Sequence, residues 1–160
     1  MSVRVIASGK DFMCFVRSGD VGSYVYKPIA GQTNCSLSRD DGENESNAKN
    51  LNGWKDFFKS LKEWTATVEI QVTDQSDTNT DEINFEALQD YEEAGTKPTF
   101  VFAWVLPQTT PQATVDVDTS KRMYVGVGLV KCPLTANSGE LATSSVAIRG
   151  CLKLDIIDPT

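Results

Sequence analysis

The chain has 160 residues, 40% of them hydrophobic and 23% charged, as expected for one globular domain with its own core. Its 22 acidic residues outnumber 15 basic ones for a formal charge of −7, which argues against tight, sequence-blind binding to nucleic-acid phosphates. Histidine is absent, so Ser-His-Asp and Cys-His catalysis and all imidazole metal sites are excluded.

The opening stretch "MSVRVIASGKDF" has no apolar run of signal-peptide length, and no segment reaches membrane-spanning length, so folding in a cytoplasm is expected. "FMCFVR" (12–17) and "SYVYKPIAG" (23–31) read as strands joined by the turn "SGDVG" (18–22), and "QTNCSLS" (32–38) as a third strand. "RDDGENESNAKN" (39–50) is polar and turn-rich, which fits a loop or an exposed hairpin. In "GWKDFFKSLKEW", Trp54, Phe57, Phe58 and Leu61 fall at helical spacing and suggest a turn or two of helix.

"TATVEIQV" (65–72) alternates cleanly, with Ala66, Val68, Ile70 and Val72 on one face and Thr65, Thr67, Glu69 and Gln71 on the other. The principal helix follows. Asn84 suits its N-cap, Phe85, Leu88 and Tyr91 recur near the helical period, and Gly95 suits C′. Glu86 favours the helix dipole, whereas Glu92 and Glu93 oppose it. "TFVFAWVL" (99–106) is apolar on both faces, so it predicts a strand covered by the helix on one side and by another chain on the other. After the polar connection 107–122, "MYVGVGLVKC" (123–132) sets Gly126 and Gly128 on one strand face, implying close approach of another backbone or a bend. "GELATSSVAIRG" (139–150) and "CLKLDII" (151–157) supply the last two strands. The fold class expected is mainly β: a sandwich or barrel with one principal α-helix, in a single domain over 1–160.

Candidate sites are few. Cys14, Cys35, Cys132 and Cys151 form no CxxC pair and read as buried free thiols. Asp77, Asn79 and Asp81 alternate like calcium ligands, but Glu82 and Leu88 stand where an EF-hand loop needs Gly and Glu. The acids Asp40, Asp41, Glu43 and Glu45 have no aromatic platform or second acid near them in sequence, so they read as a solvated segment. From Asp74 to Glu93 there are eight acids and no base, a solvated face or one that repels phosphates. Trp54, Phe57, Phe58 and Trp64 form an aromatic cluster beside Lys55, Asp56 and Lys59. They read as a core edge or a protein–protein contact. No catalytic residue, cofactor or metal is expected.

Taken in order, "GKDFMCFV" (9–16), "IAGQTNCSLS" (29–38), "ESNAKN" (45–50), "GWKDFFKSLKEWTATVEIQV" (53–72) and "INFEALQDYEEAGTKPTFVFA" (83–103) resemble the major tail tube proteins of long-tailed bacteriophages. Ser60 departs from the Gly that the pattern has before "LKEW", and "ESNAKN" matches only approximately. The resemblance covers roughly residues 9–105 and continues loosely to the end.

It implies a structural virion protein and not an enzyme. Subunits of this kind form hexameric rings that stack into a hollow tail tube through which double-stranded DNA passes without specific binding. Partners would be the chain itself and tape-measure, tail-terminator or tail-tip proteins, with no membrane; assembly would take place in the host cytoplasm. Residues 39–62 would be a protruding assembly loop, with Asp40, Asp41, Glu43, Glu45, Lys49, Trp54, Phe57 and Phe58 at subunit contacts. Thr67, Glu69 and Gln71 would face the lumen. The competing readings are the tube of a contractile injection machine, a monomeric β-sandwich binding module and, last, a carboxylate-only enzyme.

Overall fold

The computed structural model describes residues 9–46, 56–72, 81–107 and 115–160, and within them every side chain except Lys10, 44–46 and 56–61. A turn of 3-10 helix, Gly9–Asp11, leads into β1 (Phe12–Ser18), followed by β2 (Val25–Pro28), β3 (Gln32–Ser46) and β4 (Asp56–Gln71). Then come α1 (Phe85–Ala94), β5 (Thr99–Trp104), β6 (Met123–Lys131) and β7 (Thr143–Ile157). All seven strands form one sheet in the order β2-β1-β5-β6-β7-β4-β3, with every neighbouring pair antiparallel.

The sheet curls so that its last strand approaches its second. Gln32, at the start of β3, fastens that seam. Its Oε1 accepts from the Cys14 backbone N–H at 2.9 Å, and its Nε2 donates to the carbonyls of Cys14 at 2.8 Å and Ile29 at 3.0 Å. One amide side chain thus stands in for a ladder step between β1 and β3. The face enclosed by the curl carries Cys14, Val16, Phe100, Phe102, Val146, Ile148 and the alternating set Trp64, Ala66, Val68 and Ile70, all buried.

α1 closes one end of this core with Phe85 and Leu88. Asn84 caps it as the sequence implies, its side chain accepting from the Ala87 N–H at 2.9 Å, and Gly95 ends it in the left-handed region at φ 67°. Glu92, poorly placed for the helix dipole, has another partner. Its carboxylate accepts the backbone N–H of Cys132 at 2.9 Å and ties the helix end to the end of β6.

Several expectations are corrected. The apolar spacing of Phe57, Phe58 and Leu61 does not make a helix, because Asp56–Gln71 is one continuous strand whose register runs from Ser46↔Asp56 to Gln32↔Ile70; Trp54 lies outside the described residues. A short apolar run fits either period, and the long ladder with β3 decides it. The polar stretch beginning at Arg39 takes the hairpin alternative and not the loop: it is strand through Ser46, paired antiparallel with β4 as far as Ser46↔Asp56. The second face of β5 is covered by the chain itself. Val101 and Ala103 are fully buried with Phe15, Met123 and Val125, and Tyr26, Val115 and Val117 pack against them. The segment 115–118 returns beside β5 through the Val105↔Val117 bridge and a bond from the Asp118 N–H to the Trp104 carbonyl, 2.8 Å. The two final strands are one, β7, in which Leu152 alone among the described non-glycine residues has positive φ, 65°.

The glycines of β6 do mark a close approach, but chiefly to a side chain. A Cβ on Gly126 would lie 2.5 Å from Cζ2 of Trp64; one on Gly128 would lie 2.7 Å from Ile148 Cγ2 and 3.3 Å from Trp64 Cη2. Gly150 of β7 leaves no room at all, since its Cβ would overlap the indole ring. Trp64 therefore lies in a saddle of three glycines, its edge turned to Phe102 with ring centroids 6.0 Å apart. Gly150→Ala is expected to lower stability by about 1–3 kcal/mol through this overlap. A thermal melt matching the parent chain would overturn the assignment.

Candidate assembly and lumen surfaces

β4 runs beside β7 only from Gln71↔Thr143 to Thr65↔Arg149. Beyond that step β4 keeps β3 as its only described partner, and the β3–β4 pair continues as an arm away from the body. β7 continues alongside β6 to Met123↔Ile157. The arm is built from the segment that the sequence marks as polar and acidic.

The four acids of that segment do not share one direction. Asp40 and Glu43 are exposed, whereas Asp41 is half-buried with its carboxylate 3.9 Å from the Arg39 guanidinium. A register shift between Asp41 and Glu43 separates them. Glu45, Phe57 and Phe58 are ladder residues, paired as Glu45↔Phe57 and Asn44↔Phe58, with side chains outside the described set. Lys49 and Trp54 lie outside the described residues altogether.

Thr67, Glu69 and Gln71 are all exposed on the outer face of β4, opposite the core. The register adds neighbours that sequence reading missed. Three cross-strand rows form: Ser36–Thr67–Ala147, Asn34–Glu69–Ser145 and Ser38–Thr65–Arg149. This outer face of β3, β4 and β7 is almost entirely short hydroxyl, amide and methyl side chains, with Glu69 and Arg149 as the charges in those rows. Two hydroxyls are turned back to the backbone: Thr33 donates to the Glu69 carbonyl at 3.2 Å and Ser36 to that of Thr67 at 3.4 Å. The signal for the β7 part was present in the alternation of Thr143 to Arg149, but only register shows that it joins the β4 face.

The arm end of the curl is not filled by the helix. A groove of about 820 Å³ opens there, lined by Phe12, Leu37, Trp104, Tyr124, Leu154 and Ile156, with Arg39 and Arg122 also on its wall. Arg122 is engaged by Asp158 at 2.8 Å. Among the described residues no three acidic or cysteine side chains converge to hold a metal ion, and no helix is long and apolar enough to cross a membrane.

All four cysteines are free. Burial pushes the Cys14 thiol up and Cys35 up to about 12; burial, reinforced by Glu92, takes Cys132 to about 12. These thiols stay protonated in the folded chain at pH values where the unfolded chain, near its ordinary 9.0, has lost the proton. Their contribution to stability is therefore complete below pH 9 and declines as pH rises toward 12. Cys14 and Cys132 are buried as expected, whereas Cys35, on the groove wall, and Cys151 are half-buried. At pH 8, Ellman's reagent should label Cys151 first, Cys35 more slowly, and Cys14 and Cys132 only on unfolding. Prompt labelling of all four would contradict the packing.

A curled antiparallel sheet, one helix plugging one end and a long two-stranded arm define a tail-tube fold. The chain is similar to a subunit in the tail of an empty gene transfer agent particle solved with helical refinement and C6 symmetry, with TM-score 0.66, 15% identity and coverage of 95% of this chain and 99% of that one. It is similar to the tail tube of SPP1, with TM-score 0.61, 11% identity and coverage of 93% and 77%. It is also similar to a chain of the anti-feeding prophage baseplate solved with 6-fold symmetry, with TM-score 0.56, 9% identity and coverage of 99% and 98%. No protein-family model matches the chain, and no curated protein matches it in sequence.

Proposed function

We propose that this protein is a non-catalytic structural subunit of a virion tail. Copies assemble into hexameric rings, and the rings stack into the hollow tube through which DNA leaves the particle. The observation that carries this reading is the likeness over 95% of the chain to a tail subunit solved in a C6-symmetric assembly. The physics agrees. Long antiparallel ladders with open edges need covering, and a ring of identical subunits supplies it through a heterologous, closing interface.

In this reading residues 39–62 form the arm that reaches a neighbouring subunit, with Asp40, Asp41, Glu43 and the aromatic positions Trp54, Phe57 and Phe58 near the contact. The hydroxyl-rich face around Thr67, Glu69 and Gln71 lines the lumen. A line of basic side chains there would hold successive phosphates, and many weak contacts along a duplex would add to a brake; short uncharged groups with one acid, Glu69, and one base, Arg149, in their rows let DNA slide. Tape-measure, terminator or tip proteins would meet the ends of such a tube. The baseplate likeness favours a second reading, the tube of a contractile injection machine, which a co-purifying sheath protein would identify.

Negative-stain electron microscopy of the purified chain over a concentration series is expected to show rings or hollow tubes, and a chain that stays monomeric throughout would overturn the reading. Excising residues 43–59 and closing the arm with a two-residue turn should leave the thermal melt cooperative and abolish tubes; normal tubes would remove the arm from assembly. Thr67→Lys with Glu69→Lys should leave tubes intact and slow DNA ejection. Unchanged ejection kinetics would take this face out of the lumen.

A further inference from the structure

Where β4 parts from β7, the sheet forks. Past Thr65↔Arg149 the two strands separate, β4 following β3 into the arm and β7 following β6. Among the described residues, β4 from Asp56 to Trp64 has a ladder only with β3, and β7 from Gly150 to Ile157 only with β6. There the register slips between Val127↔Cys151 and Val125↔Asp155 and leaves Leu152 to Leu154 without a ladder partner on that side too. Two strand edges thus face a common cleft of about 400 Å³, lined by Arg39, Asp41, Lys62, Glu63, Trp64, Gly150, Leu152, Lys153 and Leu154.

Three features of the cleft are costs that the isolated subunit does not recover. Its backbone edges offer unused N–H and C=O groups. The indole Nε1 of Trp64 is buried beside Gly150 and has no hydrogen-bond partner. Leu152, on the cleft wall, combines a positive φ of 65° with 89% exposure, a strained backbone holding an apolar side chain in water.

We propose that this fork is a receptor for an extended segment of a second copy of the chain, which adds a strand to the open edges and covers Leu152. Unpaired backbone on both sides of a cleft calls for an extended peptide. Charge does not oppose the chain's own kind: the lining carries Arg39, Lys62 and Lys153 against Asp41 and Glu63, one positive charge in excess in a chain of formal charge −7, with Arg39 3.9 Å from Asp41 and Lys153 3.4 Å from Asp155. The proposal rests on the tube reading and specifies one of its interfaces, which begins at the base of the arm and includes the strand edge that carries Phe57 and Phe58.

Backbone hydrogen exchange of wild-type monomer and assembled tube tests it. In the tube, alternate amides of 56–63 and 150–157 should exchange at least about a hundredfold more slowly than in the monomer. Leu152→Gly should leave the monomer's melting temperature equal or higher, because glycine adopts this φ freely, and yet raise the concentration needed for assembly about tenfold or more. Tubes whose fork amides exchange as in the monomer, or a Leu152→Gly chain that assembles at the wild-type concentration, would overturn the proposal and leave the tube reading standing. A wild-type chain that never assembles would instead overturn the tube reading, and this proposal with it.

Discussion

The indole of Trp64 lies across Gly126, Gly128 and Gly150, and the division of the sheet into a closed body and a free arm turns on that contact. Any Cβ at Gly150 would occupy the ring's place, so the largest side chain of β4 can lie on β6 and β7 only where those strands carry none. The β4–β7 ladder ends one residue before it, at Thr65↔Arg149. On one side of Trp64 lie the alternating core positions Ala66, Val68 and Ile70; on the other the strand leaves with β3 as the arm. One packing contact thus marks both the end of the core and the start of the segment that reaches outward.

The remaining closures are polar and single. Gln32 joins β1 to β3 with two hydrogen bonds from one side chain and adds a third to the carbonyl of Ile29, and Glu92 joins α1 to the end of β6 with one. Each satisfies backbone groups that the curl would otherwise leave without partners. The helix plugs one end of the core, while at the other an apolar groove between Leu37, Trp104, Tyr124 and Ile156 stays open. The subunit is finished at its helix end and unfinished at its arm end, an asymmetry suited to head-to-tail assembly.

The outer face of β3, β4 and β7 is distinct in chemistry from both. Its rows of Ser, Thr, Asn and Ala beside Glu69 and Arg149 offer neither a large apolar patch nor a line of cations. Such a surface has little to hold on to a polyanion, which is what the proposed lumen wall requires. The excess of acids over bases points the same way at the level of the whole chain.

Local pattern alone determined the alternating strand at Thr65–Val72, the capped helix from Asn84 to Gly95, the absence of histidine chemistry and the likeness to tail tube proteins. Each of these depends on residues close in sequence or on their order. Tertiary structure decided the rest. Whether Phe57, Phe58 and Leu61 sit on a helix or a strand depended on pairing with β3, more than ten residues away. Which chain covers Val101 depended on the return of residues 115–118, and what meets Gly126 depended on where Trp64 falls in a different strand. The fork has no local signature, because Leu152 is an ordinary strand residue until register shows that β7 loses β4 just before it. Period and capping are properties of a segment, whereas register and closure belong to pairs of segments, and only the folded chain brings those pairs together.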